Sequence, residues 1–347
     1  MKRFVILPAL PLGIISACAL VSVLAAQQPA SSTGSLQQPA VATSGAERPA
    51  IFRSGANLVP LNVTVTDTTK QFVKGLTAGD FAVFEDGVEQ SVQFFEATET
   101  PLDLIVLIDT SSSMSDKMDV VHEAATGFLK TMRANDRGAI VAFADTVDVI
   151  QPLTADRAAL EQGLRRTRAR GATSLHNALY IALKQFGRAA QSEGDVRRQA
   201  IAVLSDGEDT SSLVSFDDVL ELARKSGVSI YPIVLQSKYA ATRIVAQGQR
   251  RFYSEAEYSM RTLAQETGAQ AFFPVQVVEL KNIYGSIAQE LSNQYSIAYA
   301  PANVRADGRF RRIEVRVSAR PELRLRTRTG YTAALSRATP VAYAPER

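Results

Sequence analysis

Leu104-Ile105-Val106-Leu107-Ile108 runs directly into Asp109-Thr110-Ser111-Ser112-Ser113, and that join decides the fold. Five aliphatic residues in succession predict a strand buried on both faces, as in a parallel sheet covered by helices. Open α/β sheets bind ligands at the carboxyl ends of their strands, so Asp109 stands where ligand chemistry is expected. Ser111 and Ser113 add hydroxyls at alternate positions. A carboxylate with hydroxyls, all oxygen and none soft, suits a hard divalent cation such as Mg²⁺. Taken alone, the run also fits a helix N-cap, because Asp and Ser oxygens accept free backbone N–H groups.

Strand and helix patterns alternate on both sides of this join. Strands are expected at 102–108, 138–144, 200–205, 229–235 and 269–273, with a short antiparallel edge strand at 147–153. Helices are expected at 116–132, 157–167, 174–189, 216–226, 256–267 and 277–292, with Gly227 and Gly268 as C-cap glycines. Such alternation predicts an α/β fold with a doubly wound, mostly parallel sheet and right-handed crossovers. A second buried strand, Ile201-Ala202-Val203-Leu204-Ser205, ends in Asp206-Gly207, and Gly171-Ala172-Thr173-Ser174 opens a helix with another hydroxyl.

Asp109-x-Ser111-x-Ser113, then Thr173, then Asp206-Gly207 resembles the metal-ion-dependent adhesion site of von Willebrand factor A domains. All five positions of that pattern are present and in order. The rest of the chain resembles secreted bacterial proteins related to that family. The resemblance implies a Rossmann-like A domain in which the two serines bind a divalent cation directly. Thr173 and the aspartates then contribute directly or through water, and one coordination position stays open for a carboxylate of the ligand. Mg²⁺ is the expected ion, with Mn²⁺ or Ca²⁺ as alternatives. The implied partner is a protein or envelope surface ligand with an exposed carboxylate.

The flanks read differently. Leu61, Val63 and Val65 alternate with polar residues, Glu85-Asp86-Gly87 divides two β-rich runs, and Ile313, Val315 and Val317 alternate again. Neither flank has enough strands to bury two faces alone. The expected organisation is therefore one β-sandwich, built from 51–99 and 293–332, with the A domain at 100–292 inserted in it. Met1-Lys2-Arg3 and the apolar run to Ala26 predict a secretory signal peptide at 1–26. Residues 27–50, rich in Gln, Pro, Ala, Ser and Thr, predict a disordered linker, and 333–347 a loose tail. Export to the periplasm, the outer-membrane surface or the medium follows, with no membrane span in the mature chain if the leader is cleaved. Cys18, the only cysteine, sits in a sequence resembling a lipoprotein cleavage box; apolar filler is the preferred reading.

The formal charge is +3, and removing Lys2 and Arg3 with the leader lowers it to +1, which leaves no global signal for nucleic acid. The long connection at 236–254 carries Lys238, Tyr239, Arg243, Arg250 and Arg251, expected to help select an acidic partner or else to be a solvated excursion. Glu208 and Asp209 are expected as solvated loop acids, and His176 as a surface contact. Eight C-terminal arginines, from Arg309 to Arg328, fit either an acidic-polymer site or, preferably, the solvated face of a sheet. His122-Glu123-Ala124-Ala125-Thr126 starts like a zinc-protease helix, but Thr126 stands where the second histidine belongs. No nucleophile elbow, phosphate loop or dinucleotide fingerprint is present. The expectation is a binding or adhesion module and not an enzyme. A structural envelope-assembly scaffold and a metal-assisted hydrolase are the alternatives.

Overall fold

The structure, a computed structural model, describes residues 58–97, 100–192, 197–206, 209–235 and 254–335. The chain divides into two units, residues 1–50 and 51–347. The leader, the linker, Cys18, Glu208, the loop bearing Lys238, Tyr239, Arg243, Arg250 and Arg251, and 336–347 of the tail all lie outside the described residues.

The α/β part is a five-stranded sheet covered by helices. Its strands are β5 (Leu102–Asp109), β6 (Arg137–Phe143), β7 (Val147–Thr154), β8 (Arg198–Ser205) and β9 (Ser229–Val234), in the order β7-β6-β5-β8-β9. Only β7 is antiparallel, pairing with β6 at the edge as its pattern predicts. Leu104 to Ile108 are fully buried, contributing roughly 1.5–3 kcal/mol each before entropy is charged against them. Alternate residues serve opposite faces. Leu104, Val106 and Ile108 pack with α1 (Met118–Lys130), α2 (Arg157–Arg166) and α6 (Leu280–Ser292). Ile105 and Leu107 pack with α3 (Leu175–Ser192), α4 (Phe216–Ser226) and α5 (Glu255–Glu266). Asp156, Ser215 and Ser254 cap α2, α4 and α5 through their side-chain oxygens, each contributing about 1 kcal/mol.

The flanking segments form two antiparallel sheets of four strands. One, ordered β12-β1-β10-β4, joins β1 (Val59–Thr66) and β4 (Val92–Ala97) to β10 (Tyr295–Tyr299) and β12 (Arg324–Arg326). The other, ordered β13-β11-β2-β3, joins β2 (Phe81–Glu85) and β3 (Val88–Gln90) to β11 (Phe310–Val317) and β13 (Gly330–Thr332). Each sheet thus mixes strands from both ends of the chain, and their inward residues, such as Leu61, Val83, Ile297 and Val315, form one cluster.

A buried polar knot ties these sheets to the α/β part. Glu290 of α6 accepts hydrogen bonds from Tyr231 Oη (2.8 Å, β9) and Thr64 Oγ1 (3.4 Å, β1), and pairs with Arg326 of β12. Gln294 Nε2 donates to Tyr231 Oη at 3.1 Å and to Thr64 Oγ1 at 3.3 Å. At the opposite end of β5 from Asp109, Asp103 is buried and pairs with Arg137 (2.6 Å) and Arg197 (2.7 Å).

Four expectations need correction. No strand forms over 269–273; a single bridge, Ile233 to Phe272, replaces it, because the chain touches the β9 edge at one point only. The helix expected from 277 begins as a 3-10 turn, Val277–Glu279. The tail is tied down at its start: Ala333 is buried and donates its N–H to Arg309 O at 2.9 Å. Two of the eight arginines are not solvated. Arg311 lies on the inward register of β11 and pairs with Asp307 at 2.8 Å. Arg328 is buried, donates to the carbonyls of Gly330 and Arg224, and has its pKa pulled down to about 10 by desolvation.

Gly227 closes α4 in the left-handed conformation, as its position predicts. Gly268 answers a harder constraint. Its φ is +76°, and a Cβ there would stand 2.5 Å from Arg328 N and from Thr327 C. Backbone cannot retreat as a side-chain tip can. We expect Gly268→Ala to destabilise by about 3 kcal/mol or more and Gly227→Ala by only about 1 kcal/mol, measured by urea denaturation.

Candidate functional site

Asp109 ends β5 with no exposed surface. The parallel register sets Ile108 beside Leu204, so the next pair along is Asp109 and Ser205. Ser205 Oγ donates to Asp109 Oδ2 at 2.6 Å, and Ser111 N–H donates to Asp109 Oδ1 at 2.8 Å. The second bond is an Asx turn, the local geometry that aspartate offers best. A 3-10 turn, Ser112–Met114, follows, and its buried Met114 anchors the loop in the core. Ser111 Oγ and Ser113 Oγ meet at 3.0 Å.

The loop carrying Thr173 is bonded to this one through backbone. Arg170 N–H donates to Thr110 O at 2.6 Å and Ser112 N–H to Gly171 O at 3.0 Å. Gly171 has φ +73°, and the Asp145 carboxylate lies so close that a Cβ would sit 2.0 Å from Oδ2. Asp145 Oδ1 accepts Ala172 N–H at 2.7 Å, and Ser174 Oγ donates to Ala144 O at 2.7 Å. Thr173 is buried between these attachments.

Asp206 follows β8, and residues 209–214 are fastened to the Thr173 loop and the start of α3. Thr173 O accepts from Thr210 N–H (2.9 Å) and Ser211 N–H (3.0 Å), while Thr173 N–H donates to Thr210 Oγ1 at 3.0 Å. Asp209 Oδ1 accepts Leu175 N–H (2.8 Å) and Ser212 Oγ–H (2.7 Å), and its Oδ2 lies 3.2 Å from His176 Nδ1. A neighbouring loop thereby caps α3 with a negative charge at the positive end of its dipole. Asn177 Oδ1 accepts both Leu213 and Val214 N–H groups at 3.1 Å. Asp209 and His176 are half-buried partners, which corrects the expectation of a solvated acid and a surface histidine.

Two electrostatic features mark this edge. Burial pushes the Asp109 carboxyl above its ordinary range; its bonds from Ser111 and Ser205 pull it down, and the charge of Asp206 pushes it up. Asp206 Oδ1 is buried with no hydrogen-bond partner. A buried carboxylate oxygen without a partner is costly, more so beside a second carboxylate.

Asp109, Ser111 and Ser113 thus lie together, and Thr173 and Asp206 occupy the two adjoining loops. The set contains two carboxylates and three hydroxyls. Among the described residues no group of three or more His, Cys, Asp or Glu side chains is placed to hold a metal. Ser205, Thr210 and Asn177 were not anticipated as contributors, and Asp209 was expected as a solvated acid. Their roles follow from strand register and loop packing, and only Ser205, adjacent to Asp206, carried a signal in its position. His122 lies apart, its Nε2 at 2.7 Å from Thr167 Oγ1.

The family model for the von Willebrand factor type A domain matches residues 104–208, from the first buried strand through the Asp206 loop. The chain carries a von Willebrand factor type A domain. Over 208 residues the chain is 24% identical to an uncharacterised protein of Borreliella burgdorferi, covering 57% of this chain and 56% of that one. It is 25% identical over 202 residues to a UPF0353 protein of Mycobacterium leprae, covering 54% and 60%. The chain therefore spans little more than half the length of these curated relatives. Among solved structures it is similar to a von Willebrand factor type A protein from Catenulispora acidiphila (19% identity, 70% of this chain and 52% of that one, TM-score 0.45). It is also similar to the von Willebrand factor domain of a type V pili tip protein from Porphyromonas gingivalis (15% identity, 55% and 94%, TM-score 0.42). Type A domains commonly serve as adhesion or protein-interaction modules.

The raised pKa of Asp109 has a definite sign in stability. The folded state holds that proton more tightly than the unfolded chain, so this carboxyl costs stability above its raised pKa and the cost disappears as pH falls through it. In EDTA we expect Asp109→Asn to be more stable than the parent at about pH 7, with the gap closing toward about pH 4. Urea denaturation across that range checks it; a constant gap would refute the assignment.

Proposed function

We propose that this chain is an exported, metal-ion-dependent binding module that captures an acidic group of a protein or surface partner. In this reading Asp109, Ser111, Ser113, Thr173 and Asp206 hold a divalent cation, Mg²⁺ in preference to Mn²⁺ or Ca²⁺. The carrying observation is the buried Asp206 Oδ1 that has no partner. It lies close enough to the buried Asp109 carboxylate to raise that group's pKa. Two like charges in low dielectric call for a cation, and the neighbouring donors are the hydroxyl oxygens that a hard ion prefers. When bound, the ion would supply a Lewis-acidic centre able to accept a carboxylate oxygen from a partner.

The protein's own groups do the positioning. Ser111 N–H and Ser205 Oγ orient Asp109, the 110–112 and 170–171 backbones hold their loops together, and Thr210 pins Thr173. Binding is preferred over catalysis because, among the described residues, no hydroxyl of the donor set is hydrogen-bonded to a histidine; His176 pairs with Asp209 and His122 with Thr167. The same reading treats the two four-stranded sheets as a sandwich into which the A domain is inserted. The mixed parentage of each sheet and their common core support it. The apolar leader and the absence, among the described residues, of a helix long and apolar enough to cross a membrane are compatible with export.

Calorimetric titration of the EDTA-stripped chain with Mg²⁺ or Mn²⁺ is expected to show one site. Asp206→Asn and the pair Ser111→Ala with Ser113→Ala are expected to weaken it by at least about tenfold, with circular dichroism unchanged. Absence of heat with both ions, or variants that bind as well as the parent, would sink the proposal.

A further inference from the structure

A cavity of about 870 Å³ opens between α5, the turn after β1, and strands β11 and β12. None of Asp109, Ser111, Ser113, Thr173 or Asp206 lines it. Its described lining carries six cationic side chains against two carboxylates, Glu290 and Glu314. Both carboxylates are engaged, Glu290 by Arg326 and Glu314 by Arg316 at 2.7 Å. Arg261 pairs with Glu257, and Arg328 is committed to backbone carbonyls. Lys70, Arg312 and Arg324 are exposed, with no ion pair or side-chain hydrogen bond among the described residues. Three unpaired cations at one concavity focus a positive potential on it.

The position of Lys70 is built and not incidental. Its φ is +65°, a conformation that L side chains seldom take. Asp67 Oδ1 enforces it by accepting from Thr69 N–H, Thr69 Oγ1 and Gln71 N–H, each at 2.8 Å. The same turn brings Phe72 back against Thr66 as an antiparallel bridge, with its half-buried ring on the lining. Backbone strain of this kind persists only where the surroundings hold it.

The remaining lining is not that of a bare anion site. Gln265 and Gln270 are exposed amides that offer both donors and acceptors. Thr327 Oγ1 is a buried hydroxyl without a partner. Ala264, Ala269 and Ala271 add small apolar lining. Cations for carboxylates, amides for hydroxyls, and an aromatic ring with small apolar lining for the carbon face of a sugar ring describe one ligand class.

We propose that this cavity binds a uronate-bearing oligosaccharide, its carboxylates held by Lys70, Arg312 and Arg324 and its rings seated against Phe72. The site is independent of the strand-end donors and needs no divalent cation, so the two readings fail separately.

The test is calorimetric titration of the full chain in EDTA with tetragalacturonate, beside neutral maltotetraose and tetraglutamate. Tetragalacturonate is expected to bind, more weakly as salt rises, and the other two to bind at least about tenfold less well. Arg312→Gln with Arg324→Gln is expected to cost about 100-fold, roughly tenfold per charge-assisted contact. Arg305→Gln with Arg309→Gln, exposed arginines outside the cavity lining, is expected to leave affinity unchanged. Thermal unfolding of each variant confirms that it folds. No tetragalacturonate binding, equal binding by tetraglutamate, or an undiminished Arg312/Arg324 double variant would each overturn the proposal.

Discussion

The parallel pairing of β5 with β8 is the constraint on which the candidate site rests. Because Ile108 aligns with Leu204, Asp109 meets Ser205 and the chain leaves β8 at Asp206, so two carboxylates reach one edge. A slip of one residue would turn Asp109 to the other face and move five buried aliphatic side chains with it. The core on both faces of β5 therefore holds the register, and the register holds the site. The hydrophobic burial of Leu104 to Ile108 offsets the cost of desolvating Asp109 at their end.

Around that edge, main-chain hydrogen bonds join the described parts of the loops. Gly171, Thr110, Ser112 and Thr173 exchange main-chain hydrogen bonds, and Asp209 and Asn177 fasten the last loop to the start of α3. The Ser111 and Ser113 hydroxyls meet at 3.0 Å, the Ser111 side chain also serves Asp109, and Asp206 Oδ1 has no hydrogen-bond partner. A scaffold that satisfies its backbone and leaves selected side-chain oxygens unspent is preorganised, since little further ordering is needed when a ligand arrives. Such a site is a local cost to stability, carried by the rest of the fold.

At the far side of the A domain, polar groups perform a different task. Glu290, Tyr231, Gln294, Thr64 and Arg326 come from five separate elements or junctions and bond to one another, while Gln294 Oε1 is left buried without a partner. A purely apolar contact there would permit several relative positions of helix and sheet. Directional bonds select one, at the risk that losing one member leaves buried polar groups unpaired. Gly268 serves the same junction sterically, by letting the backbone of Thr327 and Arg328 pass at contact distance.

The sequence by itself determined the period of most elements, the C-cap at Gly227, the hairpin across Asp86-Gly87 and the antiparallel edge strand, because all of these are written in local spacing; the five candidate donors were legible only through a family resemblance. A strand buried on both faces and a half-buried strand have different patterns, and those patterns survive without knowledge of the partners. What only the tertiary structure decided was pairing: Ser205 beside Asp109, Asp209 on α3, Arg311 and Arg328 turned inward, and Lys70 held at the mouth of a cavity. These depend on which distant residue arrives opposite, and a side chain's neighbours across a sheet or loop leave no trace in the residues next to it. Charge spacing alone therefore described eight arginines as one face, where the fold spends two of them inside and leaves others free to meet a ligand.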